Sequence, residues 1–527
     1  MLDGSADLPR NILGNKGYGI DAMRREGLSV PPAFCITTEV CGRFLTDAAG
    51  CLDDIWSDVR EKMGWLEDET SRTFGRGPRP LLVSVRSGAA QSMPGMMDTV
   101  LDLGIDNAVE NALADGASAA FARDTRIRFT DMYRRIVLGS VEGAEVPDDP
   151  WTQLRGAIEA VFASWNSPRA VHYRAHHGLD DSAGTAVIVQ AMVFGNLADD
   201  SGTGVLFSRN PITGANAPFG EWLAGGQGED VVSGSVGVEP IAALSVEQPA
   251  VYDQLMATAR TLERLAADVQ DIEFTVEEGK LWLLQTRSAK RSAQAAVRLA
   301  LQLRAEGLID DAEALRRVTP AHIDALLAPS LQPETRFAAP LLARGLPSCP
   351  GVASGRVYTD VDEALDAADA GEDVILVRTA TSPDDVQGMI AAQAIVTEIG
   401  GATSHAAVVS REIGTPAVVG CGAGVVAALA GKLVTVDGDE GEVREGILER
   451  AAWSETKSPD LTGLAEIARR VSPLRAYATG AYPVLTDSSP TVVADALAAG
   501  HTDVVSAHPL ITMLVALRLS EERSVNV

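Results

Sequence analysis

The sequence predicts a multidomain protein of mixed class, α/β and α+β, and three observations carry that reading. Alternating apolar runs bounded by glycine turns recur between stretches of helical periodicity, as strands interleaved with helices require. The length, 527 residues, suffices for two to four domains with real cores. An Ala-, Leu- and Arg-rich helical stretch over 288–335, followed by Pro340 and Leu346-Pro347-Ser348-Cys349-Pro350-Gly351, separates two such regions.

Charge and cysteine content narrow the function classes. The net charge of −28 opposes nucleic acid or an anionic membrane as partner, so an anionic nucleotide would need locally concentrated basic residues. Only six lysines occur, which makes a lysine in a glycine turn conspicuous. Five cysteines without a C-x-x-C pair read as reduced thiols rather than a disulfide frame or zinc site. The first residues lack a basic n-region and an apolar h-region, and no 18-residue apolar run occurs; a soluble, cytoplasmic protein is expected.

Taken in order, Leu13-Gly14-Asn15-Lys16-Gly17 sets a lysine between glycines, where it can approach phosphate closely. A strand is predicted at 34–38 and a helix through Cys41 to Leu45. Leu81-Leu82-Val83-Ser84-Val85-Arg86-Ser87-Gly88 is a strand delivering Arg86, whose fork suits a polyphosphate. The methionines of Gln91-Ser92-Met93-Pro94-Gly95-Met96-Met97-Asp98 read as adaptable packing under a loop. The span 106–174 is mostly helical, with Arg126, Arg128, Arg134 and Arg135 on a face that either meets phosphates or is ion-paired. His172 and His176 lie one turn apart without other metal-ligand signals, so no metal is expected there.

After a strand at 185–194, Ser201-Gly202-Thr203-Gly204 can either wrap phosphate with backbone N–H groups or serve as a hairpin turn. Two alternating runs then meet near Glu278-Gly279-Lys280. If these three residues form the loop, Glu273 lies opposite Gln285 and Asp271 opposite Arg287, all on one face, with Ile272, Phe274, Trp282 and Leu284 on the other. A two-residue loop breaks that arrangement. Carboxylate and amide oxygens on a rigid hairpin suit Mg²⁺ bound to nucleotide phosphates.

Beyond the helical linker, Ala394-Ile395-Val396 reads as a buried strand leading into Gly400-Gly401-Ala402-Thr403-Ser404-His405-Ala406-Ala407-Val408-Val409-Ser410-Arg411-Glu412-Ile413-Gly414-Thr415-Pro416. The glycines allow a tight turn, Thr403 or Ser404 can cap a helix ending at Gly414, and His405 falls in its first turn. The helix field there favours a phosphoryl group and disfavours imidazolium, leaving a ring nitrogen as a free nucleophile. Helical patterns at 461–471 and 492–499 and an apolar run at 509–515 follow, with no recognisable site.

The 400–416 string resembles the phosphohistidine signature of the pyruvate phosphate dikinase and phosphoenolpyruvate synthase families. The Ser-Met-Pro-Gly-Met-Met-Asp string is similar to a dikinase segment that phosphoenolpyruvate synthases and rifampin phosphotransferases replace. The resemblance covers about 85% of the chain. It implies an ATP-grasp nucleotide-binding domain over 1–290, a helical linker over 291–340, a swivelling phosphohistidine α/β domain over 341–452 and a tail of unassigned role over 453–527. By motif position it implies that Lys16 and Arg86 bind ATP phosphates, with Gly202 and Gly204 in the nucleotide site. Glu273 and Gln285 would bind nucleotide-associated Mg²⁺, with Asp271 and Arg287 alongside. His405 would be the phosphocarrier, with Arg86 and Thr403 supporting catalysis. Asn15 replaces a more usual glycine and leaves the lysine in place.

The implied activity is ATP-dependent phosphorylation of His405 with inorganic phosphate, releasing AMP and pyrophosphate. The phosphoryl group would then pass to pyruvate through a barrel on another polypeptide, since about 75 residues remain where a barrel needs about 250. A homodimer is compatible with this reading. Two alternatives stay open: a phosphohistidine enzyme with another acceptor, resembling phosphoenolpyruvate synthase or rifampin phosphotransferase, and a non-catalytic ATP-binding regulatory subunit.

Overall fold

A computed structural model describes the chain apart from residues 92, 94, 140–143, 234–236, 328, 329, 332, 452–454, 456, 457, 526 and 527. Two positions of the methionine-rich string, Ser92 and Pro94, and the expected boundary at 452/453 lie outside the described residues.

The first 290 residues build two antiparallel sheets. One has four strands in the order Ala33–Ile36, Thr185–Ala191, Val83–Ala89, Thr99–Leu103. The other has five, in the order Lys280–Ser288, Gln270–Glu277, Gly202–Phe207, Phe219–Ala224, Glu239–Pro240. The first sheet's outer face buries Phe34, Val83, Val85, Val187 and Val189 against the helices Ala48–Thr70 and Pro150–Ala163. Strands buried this completely need near-continuous β-branched runs, and 185–191 is buried at every position. The helical span 106–174 resolves into helices including Asn107–Gly116, Ala119–Tyr133, Pro150–Ala163 and Pro168–His177, each capped by the Asp or Ser preceding it.

The third sheet has eight strands and spans 341–445. Its centre is parallel (Val352–Tyr358, Val374–Arg378, Ala394–Thr397, Ala417–Val419), with the predicted strand before His405 fully buried. The remaining pairings are antiparallel.

The linker helices Ala293–Ala305 and Asp311–Arg316 follow the predicted periodicity. They share one core with the tail: Leu299, Leu303 and Leu315 pack with Leu464, Ile467, Leu510 and Leu514. The apolar run after Pro509 is therefore the buried part of the helix Pro509–Val525. No described helix is long and apolar enough to cross a membrane.

Candidate functional site

Gly14 breaks the first helix, Arg10–Arg25, with a left-handed φ of 69°. A side chain there would place Cβ 1.6 Å from the Gly88 carbonyl oxygen, so only glycine lets this bend press on the strand end beyond Arg86. That contact brings Lys16 beside Arg86. Among the described residues Lys16 makes no ion pair. Burial, then Arg86, hold its pKa well below the ordinary lysine value; Glu273 opposes them and Arg287 adds to the depression.

Arg86 crosses from the four-stranded to the five-stranded sheet. Its Nη2 donates to Glu273 Oε2 at 2.9 Å and to Gln285 Oε1 at 3.4 Å, and its Nη1 donates to Gln190 Oε1 at 3.4 Å. Arg287 Nε donates to Asp271 Oδ2 at 2.7 Å, while Asp271 Oδ1 is buried without a partner. Burial raises Asp271's pKa despite Arg287; for Glu273 burial acts the same way, but Arg86, Arg287 and Lys16 outweigh it and the pKa falls. Three cations and a set of hard oxygens thus converge on one cleft, which suits a polyphosphate carrying a divalent ion. The orphaned Asp271 oxygen and the loosely held Gln285 oxygen fit such an ion. No group of three or more His, Cys, Asp or Glu side chains among the described residues could hold a metal.

The hairpin reaches the expected pairs by a different route. Glu277 pairs with Lys280, so the loop is the two residues Glu278 and Gly279, both left-handed (φ 50° and 69°). A bulge between Glu273 and Phe274 then shifts the register back, and Glu273 faces Gln285 and Asp271 faces Arg287. On the turn side of the bulge the faces are exchanged. Leu281 and Leu283 join Ile272 and Phe274 in the core, whereas Trp282 lies under the Lys280 ammonium at 3.7 Å and Leu284 is half-buried.

Gly202 and Gly204 require correction. They form no phosphate-wrapping loop; both sit inside the strand Gly202–Phe207, buried. Their hydrogens leave room for two stacked rings, Trp222 and Phe274, 6.0 Å apart and 2° from parallel. A Cβ at Gly202 would lie 2.2 Å from the Trp222 ring. Gly202→Ala should therefore cost about 1–3 kcal/mol through overpacking, read as a lower denaturant midpoint with an unchanged m-value. Two arginines of the predicted basic face are committed to ion pairs, Arg128 with Asp124 and Asp230, and Arg126 with Asp148.

His405 opens the helix His405–Ile413, which ends at Gly414 as expected. Its Nδ1 meets Thr381 Oγ1 at 3.0 Å, and its Nε2 is buried without a partner. Gly95, from the methionine-rich string, approaches so closely that a Cβ there would lie 3.1 Å from Nε2. The neighbouring Met93 and Met96 pack with Trp165, Tyr173 and Val386. The histidine pKa is lowered to about 4, and burial rather than the helix field is the main cause, opposed by Asp385. An unfolded histidine takes up its proton near pH 6.5. Stability should therefore fall as pH drops from about 6.5 to about 4, by at most about 3 kcal/mol, and His405→Gln should flatten that part of a melting-temperature profile.

Thr403 does not cap the helix. Its hydroxyl donates to Glu221 on the strand Phe219–Ala224, and the same carboxylate accepts the Ala402 N–H at 2.6 Å. Ser404 occupies the cap position, but its hydroxyl makes no hydrogen bond. Further contacts seat this domain on the rest of the chain: Glu412 accepts from Tyr173 and, at 2.7 Å, from Lys290, and Arg169 lies 3.7 Å from Asp384. Sequence reasoning missed Gln190, Glu221 and Thr381; each gains its role from a partner far away in sequence.

Residues 51–254 match the family described as "Pyruvate phosphate dikinase, AMP/ATP-binding domain", and residues 370–441 match "PEP-utilising enzyme, mobile domain". Among curated proteins, the chain is 41% identical over 513 residues to pyruvate, phosphate dikinase of Rhizobium meliloti (strain 1021), covering 85% of this chain and 57% of that protein. The dikinase of Clostridium symbiosum is 40% identical over 503 residues, with the same two coverages. The chloroplastic dikinase 1 of Arabidopsis thaliana is 38% identical over 528 residues, 90% of this chain and 55% of that protein. The chain spans little more than half the length of these relatives.

Proposed function

We propose that this chain, a member of the pyruvate phosphate dikinase family through its AMP/ATP-binding and mobile domains, takes a phosphoryl group from ATP onto His405. The observation that supports this best is the convergence of Lys16, Arg86, Arg287, Asp271, Glu273 and Gln285 on one cleft. Lys16 and Arg86 bind the phosphates and offset charge as it develops in transfer, where most of the catalytic effect resides. Glu273 and Gln285, with Asp271 alongside, would hold Mg²⁺, which when bound supplies charge neutralisation between phosphate oxygens.

Thr381 Oγ1 lies 3.0 Å from His405 Nδ1; in the tautomer that this mechanism uses, Nδ1 donates to that hydroxyl and the lone pair is on Nε2. Nε2 attacks the β-phosphorus of ATP, the bond to the α-phosphate oxygen breaks, and AMP leaves. Inorganic phosphate then attacks the terminal phosphorus of the pyrophosphorylated histidine, giving pyrophosphate and phospho-His405. Gly95 and Glu221 hold the ring and its helix in the docked position seen here, so nucleotide access to Nε2 requires the mobile domain or the 93–97 segment to shift.

The test is incubation of the purified protein with β-labelled ATP, Mg²⁺ and phosphate. Acid-labile, base-stable label on the protein and AMP release that depends on phosphate are expected. AMP release indifferent to phosphate would replace the dikinase reading with a hydrolytic or other-acceptor enzyme.

A further inference from the structure

A second charged cavity, of about 270 Å³, opens where the helix of His405 meets the start of the linker, near enough to the nucleotide cleft that Arg411 acts on Asp271 and Glu412 on Arg287. Four cations line it, Lys290, Arg291, Arg317 and Arg411, against two carboxylates, Asp268 and Glu412. Four positive and two negative charges leave an excess of two positive.

The pairing is uneven. Arg291 holds both Asp268 oxygens, at 2.9 and 2.8 Å, and Arg317 shares one of them at 3.1 Å while also meeting Glu313 at 2.8 Å. Lys290 is bound to Glu412. Arg411 has no carboxylate partner among the described residues. It is 4% exposed, its two Nη groups donate to the carbonyls of Ser348 (3.3 Å) and Ala402 (2.9 Å), and its Nε donates to nothing. Burial lowers its pKa to about 10, which still leaves it charged at neutral pH. The carboxylates that act on it, Asp271 and Glu221, form no ion pair with it, so the cost of its burial is incompletely offset, and an anion in the polar cavity beside it would relieve that cost. A guanidinium fork matches phosphate or carboxylate oxygens, and the volume exceeds what a halide needs.

We propose that this cavity binds a small phosphate-type oxyanion, clamped between Arg411 of the mobile domain and Lys290, Arg291 and Arg317 of the remaining chain. The anion joins groups from both sides of the seam, so its binding favours the docked arrangement of the mobile domain and is favoured by it in turn. The site uses none of the residues assigned to the nucleotide cleft, and the proposal stands whether or not His405 is phosphorylated.

Inorganic phosphate, titrated calorimetrically into the full chain without nucleotide or Mg²⁺, tests it. Lys290→Gln should weaken binding about tenfold or more by removing a charge-assisted contact. Glu412→Gln should tighten it severalfold, because it removes a competing carboxylate and frees Lys290. Opposite changes from two substitutions in one ion pair cannot arise from general damage to the fold. Lys16→Gln, in the nucleotide cleft, should leave the affinity unchanged. The proposal falls if Lys16→Gln abolishes binding while Lys290→Gln does not, since phosphate would then occupy the nucleotide cleft. It also falls if both substitutions of the ion pair move affinity in the same direction, or if millimolar phosphate does not bind.

Discussion

His405→Ala is expected to abolish protein labelling from β-labelled ATP and to lower phosphate-dependent AMP release by at least about 10⁴-fold, the scale on which loss of an attacking nucleophile acts. The ring is half-buried, so its removal opens a small space beside Gly95 and Pro383 without unpairing a buried charge. Among the described residues only Thr381 loses a hydrogen-bond partner. Folding should survive, with a stability change within about 1 kcal/mol at pH 7.5. Rapid-quench measurement of AMP and acid-labile label would check the rate, and a denaturation curve the fold. Label that persists in the variant would remove this histidine from the reaction, whatever the nucleotide cleft does. Thr381→Val offers a finer reading. It keeps the ring in place but removes the acceptor at Nδ1, and the rate should fall by about 10-fold to 100-fold as the tautomer with a free Nε2 loses its support.

Much of this site was legible in the sequence because its parts are local. A strand, a glycine turn and a helix ended by Gly414 are written within twenty residues of His405, and the structure has them. Arg86 is legible only in part: the apolar run predicts its strand, but Ser87 and Gly88, expected to turn, continue that strand to Ala89 and leave Arg86 at its middle. The hairpin shows where local reasoning reaches its limit. Alternation alone predicts that the Glu273–Gln285 pair needs a three-residue loop. The structure instead has a two-residue turn and a bulge, two departures that cancel in register but exchange the faces of Trp282 and Leu283. A bulge leaves no mark in the pattern of polar and apolar residues. The glycines at 202 and 204 mislead for a related reason. Glycine provides freedom in a turn and space in a sheet, and only the stacked rings of Trp222 and Phe274, distant in sequence, decide between the two. Thr403 could be read as a cap because Glu221, which takes its hydroxyl, lies 182 residues away.

Arg86→Lys should cost about 10²- to 10³-fold in the rate of His405 phosphorylation while leaving the denaturation midpoint nearly unchanged. Arg86 is already neutralised in this structure, by Glu273 at 2.9 Å with Gln285 and Gln190 as weaker acceptors. For Arg86 to serve a polyphosphate it must exchange partners. If Glu273 and Gln285 were to hold a nucleotide-borne metal as proposed, the Nη2 donor they share would be freed for the phosphates. A guanidinium can make that exchange because its donors are spread over a fork: Nη1 keeps Gln190 while Nη2 changes acceptor, and the group stays oriented throughout. Lysine keeps the charge and enough length to reach Glu273, so the ion pair and the fold survive. It presents one compact ammonium that cannot remain anchored to Gln190 and also grip phosphate bidentately. The loss should therefore appear in kcat more than in nucleotide affinity, as expected when an interaction matters mainly in the transition state. Single-turnover AMP release at saturating Mg·ATP separates the two. A variant with unchanged single-turnover rate but weakened ATP affinity would show that Arg86 only binds the nucleotide. Glu273→Gln completes the argument, because it should release Arg86 before nucleotide arrives. Binding of metal-free ATP should then hold or improve even as Mg²⁺-dependent turnover collapses, an opposition that follows only if one carboxylate serves the arginine and the metal in succession.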